Sequence, residues 1–133
     1  MNAAGIGFGV GAFSDRLSPS IQRDNAALID IYQAAGLILD FTAGLEFSTF
    51  CEVAETQSAV LYQFIVIGEA ATRLSEAFRQ QHPVVPWRRI VDLRNILTHR
   101  YHAVDIQEVW GIVQRDLPSL MEAISPLLPP PEA

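Results

Sequence analysis

Three side chains with chemistry to offer, Arg94, His99 and Tyr101, stand close together in the stretch Arg88-Arg-Ile-Val-Asp-Leu-Arg-Asn-Ile-Leu-Thr-His-Arg-Tyr-His-Ala-Val-Asp105. A histidine titrates near neutral pH, so it can take a proton from a ribose 2′-hydroxyl or return one to a leaving 5′-oxygen. An arginine beside it can stabilise the charge that builds on the phosphate. The pair suffices, with no metal and no cofactor, for RNA cleavage by internal transesterification. A purely structural reading competes with this one: Arg94 pairs with an acid such as Glu69, His99 satisfies helix-end carbonyls, and Tyr101 is a half-buried core ring.

The charge pattern singles out the same stretch. Between His82 and His102 lie four arginines (88, 89, 94 and 100), all three histidines and one acid, Asp92, which makes this window formally +3 in a chain of net charge −6. A pI near 4.9 argues against holding long duplex DNA, because affinity for phosphate backbones comes from several basic contacts together. Any nucleic-acid contact should therefore be local, or shared between subunits. None of the nine basic residues is a lysine. The single cysteine, Cys51, allows no internal disulfide, and no Cys/His spacing suits zinc. A reducing cytoplasm is the expected location, with no membrane association.

The chemistry needs a scaffold, and at 133 residues, half of them apolar, the chain can bury a core as one domain. Residues 1–22 read as a flexible tail, 23–128 as the helical domain and 129–133 as a Pro-rich tail. From Asp24, Leu28, Ile31, Ala35, Ile38, Thr42 and Leu45 recur at helical spacing, with Gly44 at the fraying end. Thr49-Phe-Cys-Glu52 reads as a capping box opening a second helix, whose stripe Val53, Val60, Phe64, Ile67, Ala71, Leu74, Phe78 runs for about eight turns until His82-Pro-Val-Val-Pro86 stops it. That element is expected to be the longest and the spine of the fold.

Pro86 and Trp87 then open a shorter helix that carries the basic motif, with Ile90, Leu93 and Leu97 inward. Asp105-Ile-Gln-Glu108 starts the last helix, which Pro118 should kink. No segment reads as a strand. The prediction is an all-α, up-and-down bundle of four to five helices. On an ideal helix Arg94 and Tyr101 lie within about 20° of one line, and His99 is turned by roughly 140° from Arg94. Either the helix ends near Thr98 and the chain turns, or a second copy of the protein completes the site.

Arg94-Asn-Ile-Leu-Thr-His99-Arg-Tyr101 resembles the Arg-x4-His-x-Tyr signature of the HepT-like branch of the HEPN superfamily, the toxins of HepT/MNT (type VII) toxin–antitoxin pairs. Ile67-Gly-Glu-Ala-Ala71 with Leu74-Ser75, then Pro83 with Pro86-Trp87, Val104-Asp105 with Val109-Trp110, and Leu117-Pro118 with Leu120 follow in the family's order, from about Arg23 to Leu128. The resemblance implies a homodimeric helical bundle in which the Arg and His of both protomers meet in a cleft at the twofold. It implies a metal-independent ribonuclease cleaving tRNA or mRNA, with Arg94 and His99 at the catalytic positions and Asn95 as the polar neighbour. It further implies that Tyr101 accepts AMP from a partner MNT-type nucleotidyltransferase antitoxin, which silences the toxin. One departure stands out: Val53 replaces an expected Asp three residues after Phe50, with acids at Glu52 and Glu55 instead.

Around this core assignment, Glu69 reads as a buried acid paired to Arg94 or Arg73 that orients the motif. Arg100 and Arg89 are candidate RNA contacts, against the alternative of a solvated basic face. A His99/His102 zinc site is rejected, because no further ligands lie near in sequence. Trp87 and Trp110 read as core or interface anchors. The rival functional reading is a non-catalytic helical dimer that binds a nucleotidyltransferase or presents a nucleotide to it. Expression without a partner separates the two, since a binding module should be harmless.

Overall fold

The computed structural model describes residues 17–131, which form helices and connecting turns with no strand among them. The expected N-terminal tail lies mostly outside the described residues, as do the last two residues of the chain.

Helix α1 spans Pro19–Thr42 and so begins ahead of Asp24, where the apolar period starts. Its start is set by polar chemistry: the Ser18 hydroxyl accepts from the amide of Ile21 at 3.2 Å, and Pro19 supplies a preset helical φ at the first position. The inner stripe Ala27, Leu28, Ile31, Ala34, Ala35 and Ile38 is buried to within a few per cent of completely. Gly44, with φ of 76°, turns the chain out of the helix in a conformation that costs other residues a steric clash.

The expected long second helix is three pieces. Helix α2 (Phe47–Glu52) contains Thr49 in its interior, so the predicted capping box does not form. Val53 is extended (φ −107°, ψ 92°) and separates α2 from α3 (Ala54–Arg73). The Gln57 side chain spans this break, donating to the carbonyls of Phe50 at 2.8 Å and Cys51 at 2.9 Å, which would otherwise lack a helical partner. After Leu74, also extended, Ser75 caps α4 (Glu76–Gln81) by accepting from the amide of Phe78. The buried carboxylate of Asp24 fixes this corner. It accepts from the Ser75 amide at 2.7 Å and from the Ser75 hydroxyl at 2.8 Å, tying the start of α1 to the end of α3. These contacts and the Asp30–Arg73 ion pair make α1 and α3 antiparallel neighbours. At 24 residues α1, and not the second helix, is the longest element.

Helix α5 (Trp87–His99) opens after Pro86 as predicted. Trp87 is buried, its indole N–H donating to the His82 carbonyl at 2.9 Å. A short 3₁₀ turn, Tyr101–Ala103, leads to Asp105, whose carboxylate accepts from the amide of Gln107 at 2.9 Å and caps α6 (Ile106–Gly111). A π turn, Ile112–Asp116, then joins α6 to α7 (Leu117–Ile124) without interruption of helical backbone angles. The π turn explains how Pro118 is tolerated within the apolar run. Proline removes one amide and crowds the carbonyl four residues back, and a widened turn immediately before it relieves both problems. The core thus comprises α1, α3, α5 and the α6–α7 rod, with Phe50 of α2 packed at a ring distance of 5.0 Å on Trp110.

Candidate active site

Helix α5 is held against α3 at one point of unusually close approach. A Cβ on Gly68 would lie 2.1 Å from the Cβ of Arg94 and 2.7 Å from its Cγ, so only glycine permits this spacing. The next residue, Glu69, takes the guanidinium: its Oε1 accepts from Arg94 Nε at 2.8 Å and lies 2.6 Å from Nη2. On the other side Arg94 Nη1 donates to Asn95 Oδ1 at 2.6 Å. Of the five N–H groups on a guanidinium, these contacts engage three, leaving one on each Nη for an incoming anion. Of the two arginines that Glu69 could have been expected to join, it pairs with Arg94, since Arg73 goes to Asp30. Glu69 is not buried, however, for its side chain is 46% exposed against 24% for Arg94.

His99 is the last residue of α5 and is exposed. The helix end is closed by other groups. The Arg100 amide donates to the Ile96 carbonyl at 2.8 Å and the Thr98 hydroxyl to that of Asn95 at 3.3 Å. The His99 side chain has no hydrogen-bond or ion-pair partner among the described residues, so it does not serve the helix end and its imidazole is uncommitted. It lines an open groove with Asp92, Asn95, Ile96 and Arg100. Asp92 and Ile96 were not singled out from sequence. The signal was there, because residues 92, 95, 96 and 99 fall on one stripe at helical spacing.

The backbone breaks out of the helix at Arg100 (φ −142°, ψ 55°), so the chain turns after the motif's histidine and redirects Tyr101, while Arg94 and His99 remain on one helix at the angle its period sets. Tyr101, 45% exposed, stands on the following 3₁₀ turn with its ring edge-on to His102 at 6.0 Å, and is no core ring. One protomer does not bring Arg94, His99 and Tyr101 into a single pocket. The groove holds His99, Arg100 and Asn95, and Arg94 lies one hydrogen bond behind it through Asn95. Arg89 is exposed and does not line this groove. Among the described residues no three His, Cys, Asp or Glu side chains gather as metal ligands would, and no helix is long and apolar enough to cross a membrane.

The described residues are all helix and turn, and one helix carries an arginine oriented by two partners and, at its end, an exposed histidine without one. The sequence profile of the HepT-like ribonucleases matches residues 31–127, and the chain belongs to that family. Among its relatives, a protein of Methanocaldococcus jannaschii provisionally named as an RNase is 34% identical over 99 residues, 74% of this chain and 91% of the relative. A protein of Thermococcus cleftensis provisionally named as ribonuclease HepT is 39% identical over 93 residues, 70% of this chain and 84% of the relative. A second Methanocaldococcus jannaschii protein, also provisionally an RNase, is 35% identical over 103 residues, 77% and 85% of the two chains. No solved structure matches the chain.

Proposed function

We propose that this ribonuclease is the toxin of a HepT/MNT pair and cleaves tRNA or mRNA without metal through Arg94 and His99. The observation that carries the reading is the contrast between the two side chains. Arg94 is fixed on both sides, with two N–H groups to spare, and His99 is exposed with no partner to hold it. His99 takes the proton of a ribose 2′-hydroxyl, whose oxygen attacks the adjacent phosphorus. The bond from phosphorus to the 5′-oxygen breaks, that oxygen is protonated, and the products are a 2′,3′-cyclic phosphate and a 5′-hydroxyl. Arg94 donates to the non-bridging oxygens as charge accumulates on them. Glu69 and Asn95 are positioning residues that act through Arg94.

The domain that does this spans about 23–128 and acts as a homodimer. Because one protomer separates Arg94 from the groove, a twofold pairing of the α5 faces would bring two copies of each group to one cleft. One His99 can then serve as base and the other as acid. Tyr101, exposed just past the motif, is the acceptor of AMP from the partner nucleotidyltransferase, and the added phosphate would repel RNA by like charge. Expression in cells tests the whole reading. The wild-type protein should arrest growth, His99→Ala should not, and co-expression of the nucleotidyltransferase should restore growth with one AMP on Tyr101. Harmless wild-type protein, folded and free of AMP, would point instead to a non-catalytic partner of the nucleotidyltransferase.

A further inference from the structure

The stripe of α5 that ends at His99 does not stop at the candidate active site. A second groove lies along it toward the start of the helix, lined by Arg88 and Asp92 of α5 and by Glu76, Arg79 and Gln80 of α4. Asp92 borders both grooves, so they adjoin at this residue along α5. Arg88 and His99 are eleven residues apart, which places them roughly 16 Å apart along the helix axis, a span of a few nucleotides.

Three features of the far end point to an anion. Helix α5 begins with no side-chain cap and no acid in its first turn, and with exposed arginines at 88 and 89 instead. Cations at a helix N-terminus face the positive end of the macrodipole, so this arrangement is unfavourable on its own and becomes favourable once an anion arrives. Neither Arg79 nor Arg88 has an ion pair among the described residues, although nearby acids are present at Glu76 and Asp92. Glu76 instead accepts from the side-chain Nε2 of Gln80 at 3.2 Å. Finally, the Nε of Arg79 is buried with no hydrogen-bond acceptor, and no ion pair among the described residues engages that guanidinium, whose N–H fork suits a phosphate.

We propose that Arg79, Arg88 and the start of α5 form a second phosphate subsite, which grips the backbone of single-stranded RNA a few nucleotides from the bond cut beside His99. The identity of the ligand rests on the ribonuclease reading above. Asp92, where the two grooves adjoin, opposes the phosphates and moderates their binding.

The test measures binding of a short, fluorescent, single-stranded 2′-O-methyl RNA to the full-length protein over a range of salt concentrations. Such RNA has no free 2′-hydroxyl and cannot be cleaved by transesterification, so the result is independent of whether His99 is catalytic. Each phosphate contact on a single strand contributes about 0.7 to the slope of log affinity against log salt, so Arg79→Gln/Arg88→Gln should lower the slope by roughly 1.4. Its affinity at low salt should fall roughly tenfold or more. Should the double variant not fold by circular dichroism, Arg88→Gln alone, at an exposed position, should lower the slope by about 0.7. Arg115→Gln, an exposed arginine on the π turn, controls for net charge and should change neither quantity. Asp92→Asn should bind several-fold more tightly. Wild-type protein that does not bind, or arginine variants that bind with unchanged affinity and slope, would overturn the proposal. So would an Arg115→Gln loss equal to theirs.

Discussion

Helix α3 faces two neighbours, and the two seams are built differently. Against α1 it presents Val60, Phe64, Ile67 and Ala71, which meet Leu28, Ile31, Ala35 and Ile38 in a dry interface whose members are nearly all completely buried. Against α5 it presents Gly68 and Glu69: a backbone approach closer than any Cβ allows, and beside it a carboxylate that takes an arginine in partly solvated surroundings. The first seam gains stability in proportion to the apolar area it removes from water, at about 25 cal/mol per Å². The second gains little from its ion pair, since pairs this exposed are worth about 0–1 kcal/mol. What the second seam provides is position, because it fixes the direction in which Arg94 points. One face of α3 therefore answers to folding and the other to the placement of Arg94, and on the proposed function substitutions should separate the two.

The largest separation is expected at the end of α5. His99→Ala should reduce RNA cleavage by about 10²–10⁴-fold, the usual contribution of a general acid or base. Because His99 is exposed, the same change should move stability by no more than about 0.5 kcal/mol in denaturant unfolding. Ile67→Ala, in the dry seam, should do the reverse: a cost of about 2–5 kcal/mol in unfolding, with cleavage per folded molecule preserved.

Gly68→Ala sits where the seams meet. Its added methyl must push Arg94 or the whole of α5 aside, so about 1–3 kcal/mol of overpacking should accompany a loss of cleavage larger than the folded fraction explains. Glu69→Gln sharpens the contrast further. It keeps shape and removes charge, so unfolding should shift by less than about 1 kcal/mol. Cleavage should nevertheless fall roughly tenfold, in kcat more than in KM, because the arginine is no longer oriented for the transition state. Tyr101→Phe should have the smallest effect on both seams, leaving stability and cleavage near wild type while abolishing AMP transfer by the nucleotidyltransferase.

The same division governs what could be read from sequence. Helix α5 was legible at its start, where Pro86 and Trp87 open it, whereas its end near the motif's histidine was one of two alternatives that the spacing left open. The α1 stripe was legible from its period, although its first turn depends on Ser18 and Pro19 and not on apolar spacing. The breaks at Val53 and Leu74 were not legible, because the apolar stripe runs through both without a local signal. What stabilises them comes from elsewhere: Gln57 folding back on α2, and Asp24 reaching Ser75 across 51 positions of chain. At the candidate site, charge complementarity pointed to the Glu69–Arg94 pair. The groove beside His99 followed only once α5 had a definite face. Arg79 escaped notice because it lies on α4, a helix that exists only because of the break at Leu74.

The most direct measurement of the central claim incubates purified wild-type, Arg94→Ala and His99→Ala proteins with end-labelled bulk tRNA in EDTA and analyses the new 3′ ends. Cleavage by the wild type alone, leaving 2′,3′-cyclic phosphate, is the predicted result. Equal cleavage by the two variants, or no cleavage by a wild-type protein that is folded, dimeric and free of AMP on Tyr101, would contradict the assignment of chemistry to the α5 end.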